Sequence, residues 1–200
     1  MKNSAFTLIE LLIVVAIIGI LAAIAVPNFM NAQLKAKVAR AESDMRSIAT
    51  ALEMYQLDNN GYPMARSNPI TGETGQIKLS NRLIPLTTPI SFMSSIPVDP
   101  FFSDLREAEP DFFDTYDYFD NWSGTEIDGG QPGAGTRGFS WRLASAGPDG
   151  VMCWGGLGCN KNGSTGIDFD PTNGLVSDGD IVKTGGTIVN AEFVVTYPLQ

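Results

Sequence analysis

The residues best suited to chemistry are oxygen-bearing side chains gathered near the C-terminal end. Four carboxylates and an asparagine stand among turn residues, and they are Asp168, Asp170, Asn173, Asp178 and Asp180. Calcium takes roughly six to eight oxygen ligands from carboxylates and backbone carbonyls, so this loop could supply part of a calcium site. The spacing and the closing glutamate of an EF-hand are absent. Acids in turns more often cap the local backbone, so capping is the more common role of such residues when the loop is taken alone.

The sequence carries no sign of a catalytic site. It contains no histidine, which excludes histidine-based nucleophilic triads and histidine metal ligands. No spacing places two carboxylates across a cleft, and no glycine-rich stretch lies between a strand and a helix as a phosphate cradle requires. The residues therefore predict a protein that is not an enzyme.

Charge is divided unevenly along the chain. The net charge is −9, yet residues 1–57 carry five bases and four acids, so the remainder holds −10. Binding to phosphate backbones needs a basic footprint. The acidic C-terminal part therefore makes nucleic acid an unexpected partner.

Two cysteines, Cys153 and Cys159, stand in the short stretch CWGGLGC. Its glycines would let so short a loop close, and an oxidising compartment would favour a disulfide. Two thiols without histidine cannot form a zinc site of ordinary ligand number. We therefore predict a local disulfide.

The first stretch of the chain, residues 6–26, is almost wholly apolar. No charge occurs between Glu10 and Lys35. At about 1.5 Å per residue, this stretch is long enough to cross roughly 30 Å of hydrocarbon as a helix. An ionised carboxylate such as Glu10 is costly there unless it is paired. A free α-amino group on a neighbouring chain would serve as the partner.

The stretch Ala5-Phe6-Thr7-Leu8-Ile9-Glu10 resembles the processing site of type IV prepilins and of the pseudopilins of type II secretion. The resemblance implies a leader at residues 1–5, cleavage by prepilin peptidase between Ala5 and Phe6, methylation of the Phe6 amino group, and subunit docking through Glu10. Pro27 stands where the family carries a helix-loosening proline. Ala5 departs from the usual glycine but keeps its small size, so we expect processing to occur.

A secretory signal peptide is the competing interpretation of the same stretch. Lys2, the apolar run and Ala23-Ile24-Ala25 fit a signal peptide with an A-x-A cleavage site, which would release a soluble protein that begins at Val26. Glu10 and the continuous helical pattern across the supposed cut favour the prepilin interpretation.

Beyond Pro27 the helical pattern becomes amphipathic. Apolar residues recur at spacings of three and four, and they are Val38, Ala41, Met45, Ile48, Leu52 and Tyr55. We predict one helix from Phe6 to near Leu57, with a transmembrane and filament-core part at residues 6–34 and an amphipathic part at 35–57. Residues 58–200 would then form a globular head.

The head is expected to contain a short helix around residues 79–86 and strands within 111–120, 139–146 and 188–197. This pattern predicts an α+β, pilin-like fold in which a long helix packs on a small antiparallel sheet. Aromatics alternate with acids in residues 111–120, and they would form either core packing or a recognition patch.

A second resemblance concerns the late loop. Ser145 to Gly150, followed by Asp178-Gly179-Asp180-Ile181, is similar to the loop of major pseudopilins that holds a calcium ion. It implies Ca²⁺ bound by Asp178 and Asp180, with Asp149 as a weaker ligand. A long insertion that contains both cysteines separates the two parts.

Together these resemblances imply a structural filament subunit, the major pseudopilin of a type II secretion system. The implied partners are further copies of the chain, prepilin peptidase, an inner-membrane assembly platform and minor pseudopilins. The chain would cross the inner membrane once, with its head in the periplasm. Lys35, Lys37 and Arg40 taken alone would favour a cytoplasmic head; they could instead meet lipid headgroups or neighbouring subunits. A type IV pilin for adhesion or motility and a calcium-dependent secreted or anchored binding module are the alternatives.

Overall fold

The computed structural model describes residues 7–65, 78–102, 114–121, 123, 136–152, 169–170 and 179–191. Within them lie two α-helices, α1 at Leu8–Asn59 and α2 at Leu79–Leu83, with a 3₁₀ turn at Ile84–Leu86 after α2. Three strands follow, β1 at Asp117–Asp120, β2 at Phe139–Ser145 and β3 at Ile181–Ile188. They form one antiparallel sheet in the order β1-β2-β3. The predicted α+β architecture is confirmed.

The chain divides into two compact units, residues 1–36 and 37–200. In the first unit, the described part of α1 exposes its apolar side chains on all sides, from Leu8 at 80% to Met30 at 63%. By length and composition this is the one described helix able to cross a membrane, with a mean hydropathy of 3.0 over its most apolar window. Such a surface needs hydrocarbon or other apolar helices around it.

In the second unit, α1 has a single buried stripe. Its buried residues are Ala41, Met45, Ile48, Ala49, Ala51 and Leu52. The predicted periodicity is therefore confirmed, and the stripe belongs to the core of the head. The helix ends at Asn59, slightly beyond the predicted end near Leu57, and Asn60 follows with a positive φ of 55°. A left-handed residue at this position is a common helix stop.

One face of the sheet packs toward α1. Tyr118 pairs with Leu143 in the register of β1 and β2, and both side chains are fully buried. Trp141 donates a hydrogen bond of 2.9 Å from its indole nitrogen to Glu53 on α1. Tyr116 likewise donates its hydroxyl to Asp44 on α1, at 3.0 Å. These aromatics serve as core packing, so the described part of residues 111–120 offers no exposed recognition patch.

The opposite face of the sheet holds a buried ionic cluster. Asp117 on β1 accepts one hydrogen bond from Arg82 of α2 at 2.8 Å and another from Arg142 of β2 at 2.6 Å. Both guanidinium groups also lie within 6 Å of the ring of Phe119. The exposed fractions are 0% for Asp117, 6% for Arg82 and 2% for Arg142. The cluster joins α2 to the sheet.

Two strand predictions need correction. The first strand is shorter than residues 111–120, because Asp114, Thr115 and Tyr116 precede β1 without strand structure. The last described strand is β3, which ends at Ile188, where the predicted strand 188–197 was to begin. Residues 189–191 are not in a strand, and residues 192–197 lie outside the described part of the chain.

Replacement of Asp117 by Asn is expected to lower the free energy of unfolding by about 3–5 kcal/mol. The change leaves two buried guanidinium groups without their shared carboxylate. Urea unfolding of the full chain in detergent, followed by near-ultraviolet circular dichroism, measures the loss. Glu42→Gln is the matched control, because the Glu42–Arg46 pair is exposed and such pairs contribute about 1 kcal/mol or less. Equal losses in the two variants would contradict the assignment.

Candidate functional sites

The carboxylate of Glu10 lies at the N-terminus of α1 and is bound by Thr7. The Thr7 backbone N–H and hydroxyl donate to the same Glu10 oxygen at 2.9 and 2.7 Å, and the Glu10 N–H donates back to the Thr7 hydroxyl at 3.3 Å. This is a capping box, in which an N-cap threonine and a glutamate three residues later satisfy each other's donors. The negative charge also complements the helix dipole.

The capping box adds a role for Glu10 that the sequence analysis missed. The spacing T-x-x-E at the head of an apolar run is itself a signal for a capping box, in addition to the basic partner that a buried carboxylate requires. Within the described residues, the acid is thus engaged by its own helix. Ala5 and Phe6 lie outside the described residues. Helix α1 continues through Pro27 without interruption, and loosening at that residue remains a prediction.

The two ends of the late loop meet in the structure. A turn is closed by a hydrogen bond of 3.1 Å from the Gly150 N–H to the Gly147 carbonyl. The Asp149 carboxylate accepts a hydrogen bond from the Val151 N–H at 3.0 Å and a second from the Gly179 N–H at 3.2 Å. Gly147, at φ 67°, approaches the Gly179 carbonyl so closely that a Cβ would collide with it. The sequence-predicted segments 145–150 and 179–181 are therefore neighbours.

The structure describes two of the three predicted calcium ligands, Asp149 and Asp180. Asp149 lies at the contact just described, and Asp180 is fully buried beside it. Asp178, Cys153 and Cys159 lie outside the described residues. Among the residues that the structure describes, no group of three or more acidic, histidine or cysteine side chains could hold a metal ion. A carboxylate has about four acceptor positions, so the two amides bound to Asp149 leave room for a cation. The described residues alone do not form a calcium site, and calcium binding by this loop remains a prediction.

A buried acid, Asp99, lies in the loop that precedes the sheet. One of its oxygens accepts a hydrogen bond of 2.9 Å from the Phe101 N–H, and the residue is only 3% exposed. Burial raises the pKa of Asp99 to about 6, because the charged form loses its water. Its charge in turn helps to raise the pKa of Tyr116, for which burial is the main cause. The stretch Pro97-Val98-Asp99-Pro100 by itself indicates only a rigid loop, so the burial of this acid could not be predicted from it.

Glu53 joins α1 both to the face of the sheet that packs toward it and to the segment that follows the helix. One of its oxygens accepts the Trp141 indole N–H, and the other accepts the Tyr62 hydroxyl at 2.9 Å. Burial, followed by the adjacent Glu53 carboxylate, raises the pKa of Tyr62 to about 12. Tyr62 therefore stays protonated and donates its hydrogen bond throughout the physiological range.

Comparison with known proteins bears on both parts of the chain. Residues 1–26 match the family model described as the prokaryotic N-terminal methylation motif. Residues 28–137, more than half of the chain, match the model described as type II secretion system protein G. The chain belongs to the type II secretion system protein G family. No solved structure matches it significantly.

Curated members of the protein G family are similar over much of their length. The type II secretion system core protein G of Aeromonas hydrophila is 36% identical over 64% of this chain and 90% of its own. That of Pseudomonas aeruginosa is 37% identical over 54% of this chain and 75% of its own. The type IV major pilin of Myxococcus xanthus is 48% identical, but over only 30% of this chain and 28% of its own.

The protein G family match ends before the late loop begins. The matched residues stop at 137, whereas the contact between Asp149 and Gly179 lies beyond them. The family matches therefore support the assignment of the N-terminal motif and of α1, α2 and β1. The candidate calcium ligands rest on the sequence resemblance and on the local geometry.

Replacement of Asp99 by Asn is expected to remove a pH dependence of stability between about pH 4 and pH 6. The carboxyl has a pKa of about 6 in the folded chain against 3.8 as its ordinary value, so its protonated form favours folding. Its contribution is fully present below pH 3.8 and is lost as the pH rises through about 6. The loss amounts to about 3 kcal/mol.

Thermal or urea unfolding of the full chain from pH 4 to pH 8 tests this expectation. Asn can still accept the hydrogen bond from Phe101, so the variant should be at least as stable as the native chain at pH 7. Asp58→Asn, at an exposed position near the end of α1, is the control. Identical pH profiles for native chain and Asp99→Asn would contradict the assignment.

Proposed function

We propose that the chain is the major pseudopilin of a type II secretion system, a structural subunit of a pilus-like filament and not an enzyme. The carrying observation is the prepilin-type motif at the head of the one described helix apolar enough to span a membrane, on a chain of the protein G family. After cleavage following Ala5 and methylation of Phe6, the apolar half of α1 joins the filament core.

Glu10 has two successive partners in this proposal. Before assembly, Thr7 provides hydrogen bonds that keep the acid satisfied within its own helix. On assembly, the carboxylate pairs with the Phe6 amino group of a neighbouring subunit. A charged pair shielded from water is costly to break by removal of one partner, at about 3–5 kcal/mol. The pair would therefore select subunits in the correct register.

The remaining partners and the location follow from the same proposal. The chain crosses the inner membrane once, with its head in the periplasm, and prepilin peptidase acts on the leader at residues 1–5. An inner-membrane assembly platform and minor pseudopilins then take up the processed subunit. The apolar, outward-facing surface of residues 8–30 supports membrane anchoring.

The two alternative functions have less support. A type IV pilin role is supported by the similarity to the Myxococcus xanthus pilin, but that similarity covers 30% of this chain. A calcium-dependent binding module would need an exposed aromatic surface. Among the described aromatics of residues 111–120, Tyr116 and Tyr118 are fully buried, and the half-buried Phe119 lies against the guanidinium groups of Arg82 and Arg142.

Replacement of Glu10 by Leu is expected to leave an inserted, processed subunit that assembles at least about tenfold less filament. The loss follows from removal of the docking charge. The measurement is sheared filament yield after co-expression with the prepilin peptidase and assembly platform of a type II system. The N-terminal peptide is identified by mass spectrometry in the same samples.

Glu42→Gln is the matched control, because it also removes one carboxylate from α1 but at an exposed position in the head. A methylated Phe6 in native and variant chains, with filaments lost only from Glu10→Leu, is the expected result. Normal filaments from Glu10→Leu would overturn the docking role. A native N-terminus at Val26 would overturn the proposed function altogether.

We further propose that the late loop binds Ca²⁺ through Asp178, Asp180 and Asp149. The support is the proximity of the loop ends at Gly147 and Gly179 and the resemblance of the residues to the late loop of major pseudopilins. When bound, the cation would neutralise acids of the late loop and hold the loop ends in contact. The ligands would be carboxylate and carbonyl oxygens, which calcium prefers.

Addition of calcium in place of a chelator is expected to raise the melting temperature of the full chain in detergent. At a hundredfold excess over the dissociation constant, binding stabilises by about 2.7 kcal/mol, which corresponds to several degrees. Asp178→Asn should abolish the shift and Asp149→Asn should reduce it, whereas Asp58→Asn should not. An unchanged melting temperature of the native chain with calcium would overturn the site.

A further inference from the structure

Three bases mark the point where α1 leaves its apolar stretch. They are Lys35, Lys37 and Arg40, and we call them the basic collar. No other charged residue occurs between Glu10 and Glu42. All three are exposed. The collar is therefore a patch of positive charge without a nearby acid on its N-terminal side.

The collar lies at headgroup depth if the apolar stretch of α1 is in hydrocarbon. Exposed apolar side chains continue as far as Phe29 and Met30, both 63% exposed. With a rise of about 1.5 Å per residue, Lys35 lies about 8 Å beyond Met30 along the helix, and Lys37 and Arg40 follow it in the sequence. The polar region of a bilayer extends several ångströms beyond the hydrocarbon, and long basic side chains reach back toward it.

The three bases point in different directions around the helix. At about 100° per residue, Lys37 is rotated by about 200° from Lys35, and Arg40 by about 140°. A protein partner would contact one face of a helix, whereas lipid headgroups surround it. The angular spread therefore favours a lipid surface over a single docking groove.

The contacts already made by the collar leave donors available. The Lys37 ammonium lies 6.0 Å from the ring centroid of Phe101. The Arg40 Nε lies 3.6 Å from an Asp44 oxygen, but its side chain is 63% exposed. A guanidinium has five N–H donors and binds phosphate bidentately, so one weak pair does not exhaust it.

We propose that the basic collar binds the phosphate groups of anionic phospholipids on the side of the membrane where the head lies. This inference rests on the membrane anchoring in the proposed function. It accounts for bases that stand on the outer side of the membrane against the usual cytoplasmic bias. It also implies that extraction of the subunit into a filament must break these lipid contacts.

The test uses the full chain reconstituted into nanodiscs that contain equal amounts of phosphatidylglycerol and phosphatidylcholine. Native mass spectrometry counts the lipids that remain bound after mild stripping. Each base near an anionic surface contributes a factor of about five in affinity, so the native chain should retain phosphatidylglycerol over phosphatidylcholine at least about fivefold. Lys35→Gln, Lys37→Gln and Arg40→Gln combined should reduce this preference to near unity.

The matched control changes three bases of the head, Arg46, Lys78 and Lys183, to Gln, which alters the net charge equally. Its lipid preference should stay at the native level. An unselective native chain, a selective collar variant, or equal losses in collar variant and control would each overturn the inference. Failure of the native chain to insert would overturn both the collar and the membrane anchoring, whereas insertion without preference overturns the collar alone.

Discussion

Helix α1 must satisfy two different surroundings with one continuous backbone. Its first part exposes large apolar side chains in every direction, and its second part buries a single stripe against the head. Residues 11–34 carry no charge, so exposure of the first part of the helix to water is energetically unfavourable. The second part cannot be wholly apolar, because most of its surface faces solvent. The head can therefore fold around one half while the other half stays available for hydrocarbon or for copies of itself.

The head is small, and its carboxylates compensate by fixing the orientation of its aromatic residues. Glu53 receives the Trp141 indole and the Tyr62 hydroxyl, and Asp44 receives the Tyr116 hydroxyl. Each bond joins α1 to another segment and satisfies a polar group that burial would otherwise penalise. Asp117 plays the corresponding part on the other face, with two arginines as donors. Polar contacts thus specify how the apolar surfaces meet.

Local signals explain which elements could be predicted. The stripe of α1 repeats over several turns, and β2 alternates between two turn signals, so both were found. The sequence pattern does not predict β3, because Lys183, Gly185 and Gly186 have low strand propensity. Residues from other segments leave no room for a side chain at the two glycines of β3. A Cβ on Gly185 would overlap the Trp141 ring, and a Cβ on Gly186 would overlap Ser140 and Tyr62. No local pattern contains that information.

The candidate sites could likewise be predicted where their contacts are local in sequence, and not where the contacts join distant segments. The prepilin motif, the capping partner of Glu10 and the spacing of the basic collar are local, so the sequence contains them. The partners of Asp117 lie 35 and 25 residues away along the chain, and the raised pKa of Asp99 depends on burial by distant segments. Residue type alone could not reveal either group. Such contacts become visible only when the fold brings the segments together.

The late loop shows how a long connection can join two neighbouring strands of this sheet. Strands β2 and β3 are antiparallel neighbours, and the chain leaves one near Gly147 and returns to the other at Gly179, where the two glycines touch. Because the ends are held together, a longer connection costs only the slowly growing entropy of loop closure. The Asp149 carboxylate closes the same junction by accepting the Gly179 N–H. The junction, and not the length of the loop, is therefore the feature on which the geometry of the sheet depends.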